Sequence, residues 1–334
     1  MRAFEYSRRG NWLRNTLAAT LLSLCSAMAC ASGESARCDK ACLESMMDGY
    51  LRQLLAHDAQ GLPLAPSVVA RENAEPVAIG TGTAWTALER LLSGFTSADP
   101  LSGQVVYFGA AEIAKAPHTL VVRLKVAQRK IVESEIMYMD DGQKDTRKKL
   151  FPRDTAGLTQ IDDILWFARL PEDRRSSRDR LLAIADAYLD GLSAAHDQGR
   201  IPFDPRCERY ESGLRMTNST RVFGDLLPLN GPCVSGINLP PNIVDHVYNR
   251  RFFVADPETG IVALSFALQY SDKAPLGLAE DHATLVYEVF KIVDGRIRLI
   301  DANTLHRFKP PYQSGFADSD TSAWSKLPGS PHGS

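Results

Sequence analysis

Residues Ala56 to Glu72, "AHDAQGLPLAPSVVARE", are written a second time as Ala195 to Glu211, "AHDQGRIPFDPRCERYE", 139 positions further on. Ala, His, Asp, two prolines and a closing Glu recur in order. The likeness extends upstream, where "MMDGYLRQLLAHD" and "IADAYLDGLSAAHD" align Tyr50 with Tyr188. Met47, Tyr50, Leu51, Leu54 and Leu55 in one copy, and Ile184, Tyr188, Leu189 and Leu192 in the other, have the spacing of an amphipathic helix. Downstream, "DPLSGQVV" (Asp99 to Val106) parallels "DPETGIVA" (Asp256 to Ala263), an Asp-Pro turn feeding β-rich sequence. "TLVVRLKVAQRKIVESE" (Thr119 to Glu135) then parallels "TLVYEVFKIVDGRIRLID" (Thr284 to Asp301), with Asp294-Gly295 as the hairpin turn and Gln128-Arg129 in its place in the first copy.

Each half therefore predicts a helix, a loop, more helix or short strands, and then a long antiparallel hairpin. The fold class is α+β: two tandem cone-shaped units, each a curved antiparallel sheet wrapped around helices, together a pseudo-dimer. The expected division is a leader over 1–29, units over 36–140 and 179–316, a charged linker over 141–178, and a loose tail over 317–334. Ile164 to Phe167 in the linker is expected to dock on a unit surface.

The first thirty residues read as a secretory signal: a basic start, an apolar centre, and Ala27-Met28-Ala29 before the cut. The expectation is a periplasmic or secreted protein, the alternative being a lipid anchor through Cys30. No later stretch is apolar for long enough to span a bilayer. A formal charge of −2 offers nucleic acid no broad attraction. Cys38, Cys42, Cys207 and Cys233 remain after the leader; their even count suits two disulfides. The pairs Cys38–Cys42 and Cys207–Cys233 are preferred among three pairings, with zinc as the rival reading.

"YLRQLLAHDAQGL", a β-rich middle and the closing pair "YEVFKIVDGRIRLID" resemble the nuclear-transport-factor-2-like superfamily, most nearly its SnoaL-like branch. The two-copy form, with "RYESG" and "PPYQSG", also resembles a family of exported proteins whose domain is labelled as of unknown function. The resemblance implies an apolar pocket between sheet and helices, into which a few polar groups reach. It implies no cofactor. A carboxylate in such a wall has a raised pKa and acts as a base, while a Tyr or His opposite donates to a developing oxyanion.

By that resemblance Glu72 and Glu211 are the base candidates and Tyr50 and Tyr188 the donors. Against it, "ARENA" and "RYESG" are turn-like, so either Glu is equally a helix cap or a partner of Arg71 or Arg209. Arg123 alternates with apolar residues beside Glu133 and Glu135, as a cross-strand ion pair or a pocket arginine. Glu288, Arg296, Arg298 and Asp301 pose the same choice in the second copy. His246, within the polar-aromatic run "DHVYNRRFFVADPE", and His282 complete the candidates; such a run is ordinarily a solvated helix face before a strand. His57 and His196 read as corner-builders at helix ends. The implied activity is a cofactor-independent lyase, dehydratase or isomerase acting on a small hydrophobic or aromatic compound, for example loss of formaldehyde or water from a plant-derived aromatic alcohol. The alternative is a non-catalytic binding or assembly module, and a homo-oligomer is left open.

Overall fold

A computed structural model describes residues 37–138, 164–192, 201–218, 231–234, 244–271, 283–308 and 314–316. The expected leader, with Cys30, and His196, His282 and the tail beyond Phe316 lie outside the described residues.

The first unit begins with α1 (Lys40–Leu55), whose N-cap Asp39 accepts from the Cys42 amide at 2.8 Å. Leu43, Met47, Tyr50, Leu51 and Leu54 form its buried stripe, the helical spacing expected. Its sheet comprises β1 (Leu64–Glu72), β2 (Glu75–Pro76), β3 (Leu88–Asp99), β4 (Gln104–Ile113), β5 (Ala116–Ala127) and β6 (Lys130–Tyr138), with the short α2 (Thr83–Ala87) before β3. The order is β2-β1-β6-β5-β4-β3, and β1 joins β6 in parallel.

After α3 (Ile164–Phe167), the second unit repeats the plan. It has α4 (Arg178–Leu192), β7 (Phe203–Glu211), β8 (Leu214–Arg215), β9 (Val244–Asp256), β10 (Ile261–Tyr270), β11 (Ala283–Val293) and β12 (Arg296–Phe308), in the order β8-β7-β12-β11-β10-β9. The α+β class with two tandem, antiparallel-rich sheets is thus the one expected. Two details differ. The hairpin in each half is part of a four-strand meander, and "DHVYNRRFFVAD" is a single strand, β9, where a helix face was the ordinary reading.

Each sheet has an inner face under its helix and an outer face against the other sheet. The inner faces carry separate cores, one around Tyr50, Trp85 and Leu120, the other around Tyr188, Phe266 and Phe290. The outer faces share a third, joining Phe95, Phe108 and Val121 to Phe253, Tyr287 and Leu305. Trp166 of α3 stacks on Phe95 at 5.1 Å, so the middle of the linker docks at this junction. Disulfides Cys38–Cys42 and Cys207–Cys233 are formed, as suits an oxidising compartment. Among the described residues no helix is long and apolar enough to cross a membrane.

Candidate functional site in the second unit

Strand alternation assigns the inner face. Cys207 belongs to the second core, so Arg209 and Glu211 on β7 share its face. On β11, Val286, Phe290 and Ile292 are in that core, which places Glu288 among them. The register then makes a row: Glu211 beside Ala302, and Ala302 beside Glu288. Two carboxyl side chains thus stand on strands about 10 Å apart, with only a methyl group between them.

Tyr188 descends on this row from α4 and donates to Oε1 of Glu288 at 3.0 Å. Phe290 and Phe203 meet its ring edge-on at 4.9 and 6.4 Å. Arg209, on the neighbouring position of β7, pairs through Nη2 with Oε2 of Glu211 at 3.1 Å. Burial pushes the Glu288 carboxyl up to about 8, against the opposing pull of Arg209 and the Tyr188 hydrogen bond. At neutral pH it is therefore mostly protonated, with a proton to donate while Oε1 accepts from Tyr188. Burial also drives the Tyr188 hydroxyl well above its ordinary value. Two buried atoms of the cluster make no hydrogen bond among the described residues: Oε2 of Glu288 and Nε of Arg209.

The first unit fills the same row differently. Its register sets Glu72 beside Ile136 and Ile136 beside Val122, so a branched chain stands where the second unit has Ala302 and an apolar one where it has Glu288. Arg209 has Ala70 as its counterpart, beside Ser134. Tyr50 bonds Ser134 at 2.7 Å and meets Trp85 edge-on; burial raises its hydroxyl to about 12. Glu72 accepts from the Ala84 amide at 3.1 Å and from the Tyr138 hydroxyl at 3.4 Å. It caps the short α2, the structural alternative the sequence offered, and burial outweighs those bonds to raise its pKa. His118, unremarked in the sequence, packs edge-on against Tyr138 at 5.6 Å. His57, at φ 56 just past α1, bonds the Trp85 carbonyl at 2.7 Å; it builds a corner.

The remaining candidates lie elsewhere. Arg123 is on the outer face, where it grips Glu135 at 2.9 Å, Glu133 at 2.7 Å and Gln104 at 2.6 Å. As a pocket residue it is corrected: the β5–β6 register points it at the other sheet, with Glu135 directly opposite. From the second unit, Arg251 adds two bonds to Glu135 at 2.8 and 2.9 Å and Tyr287 a third at 2.9 Å. Both guanidinium groups lie between Phe253 and Phe316. Burial would raise the Glu135 pKa, but Arg251 and Arg123 hold it at about 2. His246 is exposed at the start of β9, away from both inner faces. Arg250, four residues further along β9 at a register shift, reaches Asp186 and Asp190 of α4 at 2.7 and 2.8 Å. The structure therefore unites Tyr188 with Glu211, adds Arg209 and Glu288, and leaves Arg123 and His246 apart.

The sequence leaves Glu288 between an ion pair and a pocket role, because alignment of the repeat on Thr119 and Thr284 pairs it with Arg123. The hairpin turns set the register one residue over, so Glu288 corresponds to Val122 and Arg123 to Val289. The signal was present in "VYEVFKI", a lone carboxylate in the otherwise apolar stripe of Val286, Phe290 and Ile292.

Fold and site together define a tandem α+β protein in which one unit carries a buried acid–base cluster. A family described as "Domain of unknown function (DUF8021)" matches residues 174–304, the span holding this cluster. No curated protein matches the chain. Among solved structures, a steroid delta-isomerase from Pseudomonas aeruginosa is similar at 18% identity, over 30% of this chain and 82% of that one, with a TM-score of 0.26.

Proposed function

We propose that the protein is an exported, cofactor-independent proton-transfer enzyme of isomerase type, with its site in the second unit. Its substrate is a small apolar compound bearing a carbonyl group. The observation that carries this reading is the buried Tyr188–Glu288 pair, with Oε2 of Glu288 making no hydrogen bond among the described residues. A carboxylic acid kept neutral at pH 7 by burial donates a hydrogen bond to a carbonyl oxygen, and more strongly as that oxygen becomes an enolate. Tyr188 supports the acid through Oε1. Glu211, across Ala302, is the base that removes a proton from the carbon next to the carbonyl and returns it to another carbon. The first unit, whose tyrosine and glutamate are bonded to its own frame, serves as scaffold.

The test follows loss of the α-proton signal of small aryl and cyclic ketones in deuterated water. The wild type should accelerate exchange for at least one of them. Glu211→Gln should remove that acceleration, and Glu288→Gln and Tyr188→Phe should each reduce it by about 100-fold or more. Glu72→Gln should leave it unchanged. Equal rates in wild type and Glu211→Gln would overturn the assignment.

A further inference from the structure

The geometry points to Arg209 as a charge-following residue, which leaves Glu211 and takes the substrate oxyanion as its partner during turnover. This rests on the proton-transfer reading above and deepens it. A guanidinium on the apolar inner face of a sheet is costly unless its charge is matched, and here Glu211 matches it at 3.1 Å through Nη2. Nε is a further buried donor with no acceptor among the described residues, while the guanidinium also meets the Tyr188 hydroxyl. The groups around it are Glu211 on its own strand, Tyr188 on α4 and Glu288 on β11, with Asp301 of β12 on the opposite face of the sheet. Of these Glu211 is its ion-pair partner, since burial raises the pKa of both Tyr188 and Glu288 and so favours their neutral forms.

The charge balance then changes with the reaction. When Glu211 takes the α-proton, the C–H bond breaks and an O–H bond forms on the carboxyl. The C–H electron pair becomes the new C=C bond, and the carbonyl pair moves to oxygen. Glu211 is now neutral, Arg209 has lost its counter-ion, and a negative charge has appeared on the substrate. The Nε–H, which has no acceptor among the described residues, is a donor ready for it. Arg209 thus favours the enolate over the ketone without binding the neutral substrate through its charge, the differential that accelerates a reaction. It also sets the substrate class. The resting cluster is neutral overall, so a neutral carbonyl compound suits it and a carboxylate does not.

The test uses 4-nitrophenol as a stand-in for the enolate, because its visible absorbance reports its ionisation when bound. Glu211→Gln mimics the protonated base. This variant should bind the probe as the phenolate, with an apparent pKa at least one unit, tenfold in affinity, below that in the wild-type complex. Adding Arg209→Lys should keep most of that shift, and adding Arg209→Met should erase it. Equal probe pKa values in Glu211→Gln and in its Arg209→Met double variant would overturn the role of Arg209. So would failure of every variant to bind the probe. Either result is distinct from failure of the proposed function, which is read from α-proton exchange in the Glu211, Glu288 and Tyr188 variants.

Discussion

Lys40, in the first turn of the first unit's helix, reaches Asp256 in the second unit's Asp-Pro turn at 2.7 Å. The relationship is reciprocal: Arg178, opening the second unit's helix, reaches Asp99 in the first unit's turn at 2.9 Å. The repeat is thus part of how the two units dock. Each copy supplies a cation at its helix start and a carboxylate at its turn, and each pair closes only across the two copies.

Loss of either turn carboxylate should loosen the docking of the units. Asp99 is the more buried of the pairs' acids and also accepts from the Ala255 and Leu101 amides. Asp99→Ala should cost about 1–3 kcal/mol, because buried donors are left without partners. The check is the urea midpoint, which should fall with its slope unchanged.

Glu135 is the pivot of the junction, and its removal should cost more. Glu135→Ala leaves Arg123 and Arg251 facing one another with their shared counter-ion gone, worth about 3–5 kcal/mol for a broken buried ion cluster. Differential scanning calorimetry checks this against Glu72→Ala, which should be milder because Glu72 is only half-buried.

Stability should decline from mildly acidic to alkaline pH. A carboxyl whose pKa is higher folded than unfolded binds its proton more tightly when folded. Its contribution is full below the unfolded value and is lost as pH rises to the folded one. Burial gives Glu288 a window from 4.5 up to about 8 and Asp301 one from 3.8 up to about 7. Each window corresponds to a loss on the order of a few kcal/mol. Glu135 works oppositely, helping above its unfolded value and losing that help as pH falls toward about 2. The melting temperature should therefore be highest near pH 4.5 and fall by pH 8.5. Asp301→Asn and Glu288→Gln should each flatten that fall.

Reducing the Cys207–Cys233 bond should act on the site as well as on stability. It closes a separation of 26 residues, worth about 3 kcal/mol in the chain-entropy account. Cys207 lies two residues before Arg209 and four before Glu211 on the same face of β7. Thiol treatment should lower the melting temperature and the α-proton exchange together, measured in parallel on one sample.

The repeat, the helix stripes, the Asp-Pro turns and both disulfides were legible in the sequence because each is a local pattern with a short-range cause. The parallel pairing of β1 with β6, and of β7 with β12, was not, since nothing local marks a strand that finds its partner some sixty residues or more away. For the same reason the sequence paired Tyr188 with Glu211 but left Glu288 between an ion pair and a pocket role. Its face depends on a one-residue register, and such a slip exchanges inside for outside. Of the two alternatives for Arg123, the cross-strand ion pair holds and the pocket role does not. Its alternation was read correctly, but which side of the sheet meets the other unit is decided only by packing.

The claim on which the account stands is that a neutral carboxylic acid sits beside Tyr188 inside the second unit. An infrared difference titration of wild type against Glu288→Gln tests it directly. The account predicts a protonated carboxyl band at pH 7, present in wild type, missing in the variant, and lost with a midpoint near 8. A Glu288 carboxylate already ionised at pH 6 would contradict it.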